Sequence, residues 1–197
     1  MMTFSEITAQ LKNMLSPSRF THSLKVMKAS IELAEKYGEN VEKAALAGLV
    51  HDCAKNIKSE DILFLCDKYG IIADDIMKKN TTLLHGMVGS FLARELFGIE
   101  DPRILEAIAD HTMGRAGMDT LGKIIFVADY IEEERDFDGV EEIREAAEES
   151  LEKAIVKGID TTILHILKKG DLLHPQTIAT RNWALEKIME MKSEKRS

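Results

Sequence analysis

Apolar residues recur at helical spacing along almost the whole chain, and the strict alternation of a half-buried strand is nearly absent. That pattern restricts the fold to packed helices. The stripe Phe20, Leu24, Met27, Ile31 and Ala34 marks one helix over about 19–37, with Gly38 where a left-handed C-terminal cap belongs. A second, about 41–54, contains AALAGLV, apolar nearly all round and therefore a buried central helix. Further helices are expected at about 4–15, 59–69, 73–79, 83–97, 102–111, 121–134, a long charged one at 140–168, and a last one at 175–191. Lys78 to Thr82 reads as an exposed loop and the final SEKRS as a frayed end. With 197 residues, no internal repeat and no linker composition, the chain reads as one all-α domain with a single core.

Net charge is −8, which argues against a nucleic-acid binder but not against a small anionic ligand held through metal cations. Cys53 and Cys66 form no paired metal motif and no disulfide framework. No run approaches the ~18 apolar residues of a membrane span, and the N-terminus lacks a signal-peptide core, so a cytoplasmic protein without membrane association is expected. The ten methionines read as core filler.

Four of the six histidines and two aspartates form an ordered set: His22, His51-Asp52, His85, His111 and Asp129. Each lies on or beside an apolar helical segment. Burying two carboxylates costs several kcal/mol each unless positive charge accompanies them. A divalent metal is the simplest source, and a mixed histidine and aspartate set fits iron, manganese, cobalt or zinc better than calcium. The ligands come from separate helices, so such a site forms only when the bundle folds.

The order His22, His51-Asp52, Asp129 resembles the H…HD…D pattern of HD-superfamily phosphohydrolases, which are HD-domain helical bundles. His85 in LLHG and His111 in HTMG match the extra ligands of its dinuclear members. Together with RFTHSLKV, HDCAK, ADYIE and HPQTIATRN, the chain is similar to the YqeK family of bacterial symmetrical diadenosine tetraphosphate hydrolases over about 19–182. It departs from that family where Glu133 and Asp138 stand in place of expected prolines, a change that bears on loop shape.

The resemblance implies an HD core at about 19–135 with C-terminal helices at about 140–191 packed on it. It implies two metal ions, iron first and manganese, cobalt or zinc as alternatives, with Asp52 as a bridge. His22, His51, Asp52 and Asp129 would hold one ion, and Asp52, His85 and His111 the other. Two such ions about 3.5–4 Å apart can clamp the attacking and departing oxygens of a phosphoryl displacement and activate a bridging water, so that two ADP leave. Asp52 and Lys55 are the expected catalytic residues. A highly anionic substrate calls for cations, and Arg19, Lys55 and Arg135 stand within reach of the ligand positions in sequence. Thr112 and Gly114 beside His111, and His174 and Arg181 in the late segment, complete the substrate-contact candidates.

Taken singly, His165 and His174 read as surface or helix-end residues, Cys53 as packed, and Glu132-Glu133-Glu134 as a solvated face; the family resemblance adds a minor prospect that Glu132 supports a ligand. The alternatives are an HD-type nucleotidase or phosphodiesterase, and a non-catalytic nucleotide-sensing or ribosome-associated module. A homodimer is compatible with the sequence, but no interface can be assigned.

Overall fold

A computed structural model describes residues 2–194, and these fold into α1 (Phe4–Met14), α2 (Pro17–Tyr37), α3 (Val41–Val50), α4 (Ser59–Tyr69), α5 (Asp75–Lys79), α6 (His85–Phe97), α7 (Pro102–Asp110), α8 (Thr120–Ile131), α9 (Val140–Glu149), α10 (Leu151–Lys169) and α11 (Pro175–Glu194). A 3₁₀ turn, Thr81–Leu84, links α5 to α6. There is no strand among the described residues. The helices begin where the sequence supplies caps: Ser16 ahead of Pro17, Asn40, Asp74, Asp101 ahead of Pro102, and Asp119 each accept a backbone N–H of the first turn.

The apolar α3 is the centre, packed on α2, α7 and α8. Leu49, Ile108, Leu121, Ile124, Ile125 and Phe126 are fully buried around it. α6 lies against α7, while α9 and α11 each pack on α10, and α9 and α10 reach α8. One hydrophobic cluster runs from α1 to α11. Among the described residues no helix is long and apolar enough to cross a membrane.

The expected long helix at 140–168 is two helices. Ser150 is extended (φ −164°, ψ 151°) and its hydroxyl caps α10 by accepting from Lys153 N. The helix expected to reach Ala54 stops at Val50, and residues 51–57 continue as turns closed by three-residue-back bonds such as Lys55 N to Asp52 O. The segment from Lys78 to Thr82 is not an open loop, because the lysines form the end of α5 and Thr81-Thr82 the 3₁₀ turn. The last helix runs through Ser193-Glu194, which were expected to fray; the other three residues of that tail lie outside the described residues.

Candidate metal centre

Helix ends converge at one point in the bundle. His51 directly follows α3, His85 opens α6 and His111 directly follows α7. His22 comes from α2 and Asp129 from the last turn of α8. All four histidines and Asp52 are buried, and Asp129 keeps a quarter of its side chain exposed (25%).

The terminal positions decide the tautomers. Nδ1 of His51, His85 and His111 lies 2.7, 2.5 and 2.7 Å from the carbonyl three residues back, of Gly48, Thr82 and Ile108 respectively. Nδ1 of His22 lies 3.2 Å from Glu132 Oε1. Carbonyl and carboxylate oxygens only accept, so each Nδ1 carries the hydrogen and each Nε2 presents a lone pair in the neutral ring. Those four Nε2 atoms face one another and the two aspartates. Nε2 of His85 and of His111 are 2.9 Å apart. Nε2 of His22 is 3.0 Å from Asp129 Oδ1 without hydrogen-bond geometry.

Asp52 sits between the two halves of this cluster. Its Oδ2 is 3.8 Å from His22 Nε2 and 3.5 Å from His51 Nε2, while its Oδ1 is 3.0 Å from His85 Nε2 and 3.5 Å from His111 Nε2. His22 Nε2, His51 Nε2 and Asp52 Oδ1 are buried with no hydrogen-bond partner. Orphaned buried acceptors are costly, and several aimed at one point call for a cation there. Two sets of atoms lie within 4.8 Å of one another and can hold an ion: His22, His51 and Asp129, and His51, Asp52 and His111.

The electrostatics agree. Burial opposes ionisation of Asp52 and Asp129, yet the imidazoles around them, with Arg135 beside Asp129, hold both carboxyls below the usual carboxylate range. Burial pushes His85 down to about 4, so its ring is neutral at neutral pH. His51 is also penalised by burial, but the carboxylates of Asp52 and Asp129 outweigh this and raise its pKa: the pocket stabilises positive charge at that spot.

The profile of the HD domain matches residues 19–134, a span that contains all six cluster residues. The chain belongs to the HD family. A Bacillus subtilis (strain 168) protein named bis(5'-nucleosyl)-tetraphosphatase, symmetrical, is 38% identical over 92% of this chain and 97% of its own length. A Halalkalibacterium halodurans protein of the same name is 42% identical over 89% of this chain and 93% of its own. A Clostridium acetobutylicum crystal structure, described as a predicted HD superfamily hydrolase involved in NAD metabolism, superimposes with a TM-score of 0.92. It is 45% identical and covers 95% of this chain and 99% of that one.

Around the HD cluster the expected cations fall into two groups. Arg19 Nη1 lies 2.7 Å from Asp52 Oδ2, and Arg135 reaches Asp129 with Nη2 to Oδ1 at 2.6 Å and Nε to the carbonyl at 2.8 Å. Lys55 Nζ is 3.3 Å from His85 Nε2, and burial lowers its pKa. It arrives there from a turn, not from the helical continuation of α3 that its spacing implied. Thr112 Oγ1 stands 3.5 Å from His85 Nε2. A groove of ≈ 1010 Å³ opens from Thr112, Asp129 and Arg135 along α10, where Lys157, His165 and Lys168 form its wall.

The late segment has partners of its own. His174 stands at a helix end, directly before α11, but is buried and not a surface residue; its Nε2–H donates to Asp74 Oδ2 at 2.6 Å while Nδ1 accepts from Gln176 N. Arg181 pairs with Asp160, a groove residue, and makes no contact with the histidines. Gly114, at φ +68°, packs on α11: a Cβ there would come within 2.4 Å of Thr180 Cγ2. Thr180 and Gln176 hold the turn after His111 through the carbonyls of Met113 and Gly114. α11 thus supports the HD site from behind.

Glu132 is the residue the sequence placed wrongly. It is buried beneath His22, not part of a solvated face, whereas Glu133 and Glu134 are exposed and pair with Lys25 and Lys28 of α2. The run of three glutamates favoured a solvated face, and only the family resemblance gave Glu132 a minor prospect of supporting a ligand. Only the helix end at Ile131 separates the one that turns inward from the two that do not.

Proposed function

We propose that this chain is a metal-dependent hydrolase that cleaves diadenosine tetraphosphate symmetrically into two ADP. The observation that carries the proposal is the split carboxylate of Asp52, one oxygen toward His22 and His51 and the other toward His85 and His111, amid histidine lone pairs with no proton between them. The names of the two relatives above support a bis(5'-nucleosyl) tetraphosphate as substrate and a symmetrical cut, and adenine as the base follows from the family resemblance.

His22, His51 and Asp129 would hold one ion, His85 and His111 a second, and Asp52 would serve both. Iron is the proposed native metal, with manganese, cobalt and zinc compatible with the donor set. When bound, such a pair supplies Lewis-acid clamping of phosphoryl oxygens and an acidified water. The chain's own residues do the rest. Arg19 and Arg135, resting on Asp52 and Asp129, flank the cluster as phosphate contacts, and Lys55 adds a point charge beside His85. The groove along α10 offers room for a nucleoside diphosphate arm next to Asp129. Thr112 shapes its inner end. In the net reaction the oxygen of one water forms the new bond to a central phosphorus, and one bridging P–O bond breaks with its electron pair leaving on the departing ADP.

The test is a product analysis. Protein loaded with Fe²⁺ or Mn²⁺ and given diadenosine tetraphosphate should yield ADP alone; ATP plus AMP, or no turnover, would sink the proposal. Elemental analysis of protein purified without added metal tests the choice of iron. The description of the C. acetobutylicum structure puts NAD on the same substrate panel, beside mononucleotides and cyclic dinucleotides.

A further inference from the structure

The segment 132–139, between α8 and α9, delivers two groups to the cluster: Glu132, whose Oε1 accepts from His22 Nδ1, and Arg135, which grips Asp129. Within the segment a turn closed by Arg135 N–H on Glu132 O at 2.9 Å, with Glu134 N–H on Glu132 Oε2 at 2.7 Å, joins the two. A side chain on α9 holds that turn from outside. Arg144 donates from Nε to Ile131 O at 3.1 Å, and from Nη2 to Glu132 O at 2.9 Å and to Arg135 O at 3.1 Å. Its Nη1 is anchored on Glu141 Oε1 at 2.5 Å, one turn back on its own helix. The first carbonyl is the last of α8, where a cation is also favoured by the helix dipole; the second, at the C-cap, also accepts Arg135 N–H at 2.9 Å. The third belongs to the residue that reaches Asp129.

We propose that Arg144 is a positioning residue for the metal centre: its guanidinium locks the turn from which Glu132 orients His22 and Arg135 meets Asp129. A planar fork with five N–H donors suits three carbonyls spread over five residues in a way that an ammonium does not. Outer partners of a ligating histidine set its orientation and basicity, so a slack turn should be felt at the metal although Arg144 touches no ligand. Simple capping of α8 would cost stability and leave metal affinity alone.

The inference rests on the cluster being a metal centre, and its test uses Mn²⁺ alone, without substrate, on the full chain. By titration calorimetry below the unfolding range, Arg144→Gln should bind Mn²⁺ about 10-fold more weakly than wild type. Glu132→Ala should lose about 10- to 100-fold, as expected for an outer partner. Because Arg144 and Glu132 serve the same turn, the double variant should bind within about threefold of Glu132→Ala, a strong departure from additivity. Arg144→Lys, which keeps the charge and the stem, should recover only part of the loss, and it takes the place of the glutamine variant in the cycle if that variant does not fold. Unchanged Mn²⁺ affinity in Arg144→Gln, or losses that multiply in the double variant, would overturn the inference and leave the metal centre standing. A wild-type chain that binds no Mn²⁺ would remove both.

Discussion

His85 and His111 approach Nε2 to Nε2 at 2.9 Å while the opposite nitrogen of each ring is engaged by the carbonyl three residues behind it. Two lone pairs at that distance repel. The arrangement becomes favourable when a cation lies against both, with Asp52 Oδ1 at 3.0 Å from His85 completing the set. The backbone at two helix ends is thus committed in advance to a geometry that makes sense with a positive charge in place.

Removing metal should therefore destabilise the whole bundle, since the ligands tie α2, α6, α7, α8 and the turn after α3 together. An ion at 100 times its dissociation constant stabilises by about 2.7 kcal/mol. For a chain of this size each kcal/mol moves the midpoint by about 2–4 °C. Thermal unfolding of Mn²⁺-loaded protein should lie about 5–10 °C above that of chelator-treated protein; coincident midpoints would contradict the role assigned to the cluster.

Asp52→Asn keeps the size of the side chain and removes its charge. Mn²⁺ stoichiometry, read by calorimetry, should fall from two ions to at most one. Hydrolysis should fall by more than the roughly 100-fold typical of losing an outer partner. A variant that still binds two ions would show that Asp52 is not shared.

Gly86 tests how closely α6 must approach the end of α7. A Cβ at that position would meet Thr112 Oγ1 at 2.8 Å, Ala109 O at 2.9 Å and Ile108 O at 3.0 Å, and Ile108 O is the acceptor of His111 Nδ1–H. Gly86→Ala must push backbone apart, at about 1–3 kcal/mol of stability. It should also weaken metal binding by separating His85 from His111, which the same calorimetric titration would detect.

Acid sensitivity should have a component remote from the cluster. Hydrogen bonding to Arg103 lowers the Glu39 carboxyl from its ordinary 4.5, and Lys43 does the same for Asp101. A folded pKa below the unfolded one gives stability that is complete above about pH 4.5 and lost as pH falls toward the folded values. Arg103 is 40% exposed, so screening holds the contribution of its pair to about 1 kcal/mol or less. Unfolding midpoints from pH 7 to 3 should fall less steeply in Arg103→Ala than in wild type.

The helices and the six cluster positions were legible because both rest on spacing and residue type. Apolar periodicity survives in one dimension, and four histidines with two aspartates beside apolar runs have few structural explanations. The break at Ser150 was not legible, since EESLEK supports an unbroken helix as well as a capped restart. Nor was the inward turn of Glu132, which depends on where α8 ends and on what Arg144 holds from another helix. Nor were the partners of His174 and Arg181, which are Asp74 and Asp160. Partners 100 and 21 residues away leave no mark on local pattern.

The HD match ends at residue 134, yet the turn after His111 is held by Thr180 and Gln176, and the turn after Asp129 by Arg144. A segment trimmed to the family boundary would keep every donor atom and lose the scaffolding that aims them. The unit that can be grafted, swapped or inherited intact is accordingly the bundle through α11, and the part that defines membership is smaller than the part that makes the site.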